Sequence, residues 1–91
     1  MPNIPPPRAA AIRNLQEIPG VGPNIAHDLW RLGVGSVGEL NGADPQTLYD
    51  RLCDLKKEKV DLCCLYVFRC AVYYASKKKH DPEKLKWWNW K

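Results

Sequence analysis

The chain is poor in the residues that build active sites. It has only two histidines, His27 and His80, separated by more than half the sequence. It offers no Ser/His/Asp arrangement, no paired carboxylates in an apolar run and no Walker loop, so it reads as a non-enzyme. His27 and Asp28 are neighbours on an expected helix, point in different directions and make no dyad. Four cysteines stand at Cys53, Cys63, Cys64 and Cys70, and no pair has C-x-x-C spacing. Buried thiols in a reducing cytosol are the expected state. The alternative is a metal or redox site using Cys63 and Cys70, which share a helix face. Long hydrophobic runs are also missing: none reaches the ~18 apolar residues of a membrane span. The opening Met1-Pro2-Asn3-Ile4-Pro5 has no apolar stretch of a secretory signal. A soluble cytoplasmic protein with no membrane contact is expected.

What is present suits one small globular domain. Ninety-one residues with 45% hydrophobic content can build a modest core. The net charge is +4, and its position matters more than its size. Residues 77–91 hold six lysines against Asp81 and Glu83, so the whole excess lies there and residues 1–76 are neutral. Residues 1–7 read as a Pro-rich flexible lead-in, and residues 8–91 as a single helical domain.

The most informative stretch runs from Leu15 to Leu40. In Ile18-Pro19-Gly20-Val21-Gly22, Pro19 pushes Ile18 out of the α region and ends any preceding helix. Gly20 and Gly22 can take positive φ and carry no Cβ to hold another molecule away. Pro23 suits the first position of a new helix, and Ile25, Ala26, Leu29 and Leu32 give that helix one buried face. Gly33 is the expected C-terminal cap. A bare turn feeding a helix N-terminus presents unpaired N–H groups and about half an elementary positive charge, a phosphate site made of backbone.

Leu15, Ile18-Pro19-Gly20-Val21-Gly22, Ala26, Leu29, Gly33-Val34 and Ser36-Val37-Gly38-Glu39-Leu40 together resemble the helix-hairpin-helix motif of DNA repair and replication proteins. Leu62–Tyr74 and the ending Leu85-Lys86-Trp87-Trp88-Asn89-Trp90-Lys91 resemble the small bacterial "pathogenicity locus" proteins, some labelled mitomycin-resistance proteins. The resemblance covers most of residues 12–91. It implies a compact all-α domain of five to six helices, SAM-like with a helix-hairpin-helix at 15–40. It also implies sequence-independent binding of a nucleic-acid backbone, DNA in the first instance, and an accessory role in DNA damage tolerance. By motif position the phosphate donors are the N–H groups of Gly20, Gly22 and Asn24, with Val21 between them. The carbonyls of Gln16, Ile18 and Val21 would hold a monovalent cation, K+ or Na+; no other cofactor is implied. Lys77, Lys78 and Lys79 would add charge if they lie beside the turn. Pro23 removes one donor, and the charge of Asp28 opposes an anion near the helix start. Binding of about 10⁻⁴ M or weaker is therefore expected. The competing reading is a protein-interaction module that docks on a larger partner and keeps the turn only as a connection. Sequence leaves the oligomeric state open.

The rest of the chain reads as helices. Ser36 with Glu39 looks like a capping box opening a short third helix. Asp44-Pro45 and Asp81-Pro82 pair a side-chain cap with proline at the first position, and Asp61 caps a helix within 61–76. Thirteen of the fourteen residues from Leu62 to Ala75 are apolar or aromatic, so this helix is expected at the centre with the others packed on it. Arg69, its one charge, is expected to pair with an acid at the rim. Trp30 is expected to cover the core. Residues 55–60, lacking Gly and Pro, would be a degenerate second hairpin. In 81–91 a short helix is followed by tryptophans that fold back on the core, stack on exposed bases or meet a membrane surface; folding back is preferred.

Overall fold

The computed structural model describes residues 8–91. The lead-in at 1–7 lies outside the described residues. Four α-helices follow in order: α1 (Arg8–Leu15), α2 (Pro23–Arg31), α3 (Pro45–Lys56) and α4 (Leu62–Ser76). No strand occurs among the described residues. The all-α expectation holds, but four α-helices stand in place of the expected five to six. The short helices expected after Ser36 and Asp81 are 3₁₀ turns at Val37–Leu40 and Pro82–Leu85, and a third such turn follows at Trp87–Trp90. Each is four residues long and closed by i→i+3 bonds such as Asn41 N–H to Gly38 and Asn89 N–H to Lys86, too short for an α-helical ladder to propagate.

Local chemistry explains the boundaries. Asp44 accepts from the Gln46 amide at 3.0 Å and from the Thr47 hydroxyl at 2.9 Å, opening α3. Asp61 accepts from Cys63 at 2.9 Å and Asp81 from Glu83 at 3.0 Å. Ser36 departs from expectation, because its side chain caps nothing. Instead Glu39 reaches back to accept from the Gly35 amide and the Ser36 hydroxyl. α2 ends with Gly33 N–H bonded to Trp30 and Val34 N–H to Leu29, the closure a left-handed residue allows. α3 ends the same way through Lys57, at φ 54°. A side chain in that region costs roughly 1–2 kcal/mol.

Two helix pairs share one core. α1 packs on α2 and α3 on α4, while α4 is also covered by the 37–40 turn and the two closing turns. The expectation that every element packs on α4 is thus narrowed, since α1 and α2 mainly hold each other. Phe68 of α4 is fully buried, as are Leu15, Ile18, Leu29, Leu40 and Leu52. Each such side chain stabilises by about 1.5–3 kcal/mol relative to exposure. Polar ties join the pairs. Asn14 accepts from the Val37 amide at 2.9 Å, and Arg51 donates to the Leu32 carbonyl at 3.0 Å. No described helix is long and apolar enough to cross a membrane.

Candidate nucleic-acid interface

The turn between α1 and α2 is built by tightening the chain in two steps. After Leu15, Glu17 N–H bonds to Asn14 and Ile18 N–H to Leu15, so α1 narrows to 3₁₀ spacing before Pro19. Val21 N–H then bonds to the Ile18 carbonyl at 3.1 Å. Ile18 and Val21 are buried in the core, which pins both sides of the corner. Only Gly20 takes positive φ, at +87°. Gly22 is extended at φ −90°, ψ −177° and is the N-cap of α2, with no side-chain cap. The freedom expected of both glycines is therefore used at one.

The amides of Gly20, Gly22, Asn24 and Ile25 have no hydrogen-bond partner among the described residues, while Ala26 N–H returns to the Gly22 carbonyl at 3.0 Å. Gly22, Pro23 and Asn24 are exposed, and no atom lies within 4 Å of where a Gly22 Cβ would sit. The start of α2 thus presents the Gly22, Asn24 and Ile25 donors beside the positive end of the helix dipole.

Trp87 covers part of the same corner. A Cβ on Gly20 would lie 2.9 Å from Trp87 Cδ1, so the indole rests on the glycine α-carbon. Glu17, just before the turn, accepts from the Tyr74 hydroxyl at 2.9 Å. Tyr74 in turn stacks on His80, with centroids 4.5 Å apart, and His80 Nε2 meets the Tyr74 carbonyl. The end of α4 and the closing segment are thereby fastened beside the turn. Lys77, Lys78 and Lys79 are exposed in the connection between them.

Asp28, read from the sequence as a charge opposing an anion, has a partner in the fold. It is buried and forms an ion pair with Lys56 of α3 at 3.3 Å, so its charge is compensated within the fold. Of the three carbonyls expected around a cation, Ile18 already accepts from Val21, while those of Gln16 and Val21 accept from no described residue. No group of three or more His, Cys, Asp or Glu side chains that could hold a metal occurs among the described residues.

The thiols fall into three classes of exposure. Cys64 and Cys70 are buried, Cys53 is half-buried and Cys63 is exposed, so Cys63 departs from the expected burial. Burial, with the nearby Asp28 charge, pushes the Cys64 thiol up from the usual 9.0 to about 11. Cys70 is raised by burial, and Cys63 by its hydrogen bond to Asp61 and by desolvation. These shifts run opposite to those that activate a thiolate.

The family model described as Cdd1, pathogenicity locus, matches residues 8–91. The chain belongs to this family. No curated protein and no solved structure matches it. In this pathogenicity locus protein, three contacts escape any local reading of the sequence. Trp87 lies on Gly20, Asp28 pairs with Lys56, and Arg69 donates to the Trp90 carbonyl at 2.7 Å. Arg69 thus holds backbone rather than the acid expected of it, and it lies over the Tyr66 ring at 5.6 Å. The tryptophans fold back unequally: Trp87 packs on the core, Trp90 lies 5.5 Å from Tyr73, and Trp88 remains 51% exposed.

Proposed function

We propose that residues 15–40 act as a helix-hairpin-helix and bind nucleic-acid backbone, DNA in the first instance, weakly and without sequence choice. The observation that carries this reading is the row of unpartnered amides at Gly22, Asn24 and Ile25 on the first turn of α2, with Gly22 and Asn24 exposed. Such donors suit phosphate oxygens and read no base edge. Internal pairing of Asp28 with Lys56 removes the main electrostatic objection. On this reading the Gln16, Ile18 and Val21 carbonyls would hold K+ or Na+, and Lys77–Lys79 would contribute diffuse attraction. The lone turn would bind at about 10⁻⁴ M or more weakly. An accessory role in DNA damage tolerance in the cytoplasm would fit this chemistry.

One observation favours a second reading. Trp87 sits on Gly20, so the turn is partly occupied by the protein's own side chain. That contact would suit a protein-interaction module in which the corner is only structural. Fluorescence anisotropy of a labelled duplex, titrated with salt, separates the two. Backbone binding predicts an affinity that falls as salt rises and is lost in Gly22→Glu with the fold intact. Gly22 is the position to use, because a side chain there meets open space. Gly20→Glu, the other substitution the motif suggests, would collide with Trp87 from a positive φ and disturb the fold itself. Wild-type indifference to the duplex at low salt would favour the second reading.

A further inference from the structure

The closing turns leave a groove against the C-terminal half of α4, away from the contact on Gly20. It has a volume of about 580 Å³, within the range of roughly 300–1,000 Å³ typical of small-ligand sites. Val72 lies along it, the rings of Tyr73 and Trp90 stand 5.5 Å apart at 43° within its wall, and Asn89, whose Nδ2 donates to the Glu83 carbonyl at 2.8 Å, borders it. Arg69 and Lys91 also line it, and no lining residue is acidic.

The wall is fixed rather than loose. Arg69 Nη1 donates to the Trp90 carbonyl at 2.7 Å, and the Trp90 indole N–H donates to the Lys84 carbonyl at 2.7 Å. The backbone of Trp90 and its indole are thereby each held by one hydrogen bond. The remaining guanidinium N–H groups of Arg69 have no hydrogen-bond partner among the described residues, and the Lys91 ammonium forms no ion pair among them. An aromatic wedge with an apolar side, lined also by two cations that have no acidic partner among the described residues, matches a planar heteroaromatic ring attached to an anion. An acidic peptide would use the cations but leave the rings without a stacking partner.

We propose that this groove binds a nucleotide unit, with its base against Trp90 and Tyr73 and its phosphate at Arg69 and Lys91. The unit is either free or an unpaired residue of a single strand, and the chemistry recognised is the same in both. Base stacking on aromatic rings tolerates any base, so the groove distinguishes unpaired from paired nucleotides rather than one sequence from another. The inference does not depend on the α1–α2 turn.

The test is a ¹⁵N–¹H NMR titration of the full chain with deoxyadenosine monophosphate, with an eight-nucleotide deoxyadenosine strand and with inorganic phosphate. Expected are saturable shifts of the Trp90 indole N–H and of the Val72 and Tyr73 amides with the mononucleotide, the strand or both; which of them acts identifies the source. Phosphate alone leaves these signals in place. Val72→Trp, which fills the groove, abolishes the shifts. Lys91→Glu, at an exposed position, weakens them by about threefold or more. Gly22→Glu leaves them intact, so failure of the turn and failure of the groove are told apart. No shift with either nucleotide probe, or the same shifts with phosphate alone, overturns the proposal.

Discussion

Replacing Gly20 and Gly22 separately by alanine should give very different results, although only Val21 stands between them. At Gly20 the new methyl must sit at φ +87°, which costs an L-residue about 1–2 kcal/mol. It must also displace Trp87, whose Cδ1 would be 2.9 Å away; overpacking of this kind adds about 1 kcal/mol. Gly20→Ala should therefore destabilise by about 2–3 kcal/mol, a fall in Tm of roughly 10–20 °C for a domain of this size. Gly22 has ordinary dihedrals and open space. Its loss as an N-cap costs roughly 0.5–1 kcal/mol, largely offset by the roughly 0.4–1 kcal/mol gained from the reduced freedom of the unfolded chain. Gly22→Ala should thus stay within about 0.5 kcal/mol of wild type. Urea denaturation followed by far-UV circular dichroism measures both. In a Trp87→Ala background the cost of Gly20→Ala should shrink to the backbone component alone, a coupling that a double-mutant cycle isolates. Equal costs at the two glycines, or no coupling to Trp87, would refute the assigned contact.

Two further outcomes follow from the buried polar groups. Lys56→Ala leaves the Asp28 carboxylate buried without its partner and should destabilise by about 1–3 kcal/mol, whereas the double substitution Asp28→Asn with Lys56→Met, which removes both charges together, should recover most of that loss in thermal melts. Alkaline pH should also destabilise the fold. Cys64 is held protonated up to about 11, and Cys70, Tyr49 and Tyr74 are raised as well. The unfolded chain therefore loses these protons first, and stability present below pH 9 declines as pH rises toward 11. A Tm profile over that range should slope downward, with a shallower slope in Cys64→Ala measured against its own value at neutral pH.

Features set by neighbouring residues were legible in the sequence. The Asp44-Pro45, Asp61 and Asp81-Pro82 starts, the Gly33 cap and the apolar run of α4 each rest on residues within one or two turns of chain, and the structure places them as expected. Helix count was harder to read. A capping pattern such as Ser36 with Glu39 marks where a helix can begin but not whether four residues will form more than a 3₁₀ turn. The contacts that govern the candidate site are distant in sequence. Asp28 meets Lys56 twenty-eight residues on, and Arg69 meets Trp90 twenty-one residues on. Asp28 reads as a repulsive charge in the sequence because its partner lies on another helix. Arg69 reads as half of an ion pair because a backbone carbonyl leaves no trace in residue types. A run of tryptophans and lysines gives no indication of which ring rests on Gly20, which lines a groove and which stays exposed.

The most direct measurement of the central claim is the chemical-shift response of individual turn amides to a short DNA duplex at low salt. Anion capture by the start of α2 predicts that the Gly22, Asn24 and Ile25 N–H signals move together, saturably, and return as salt is added. It also predicts that Gly22→Glu abolishes their movement. Signals that stay fixed at those three amides while the duplex binds elsewhere, or does not bind at all, would contradict the account.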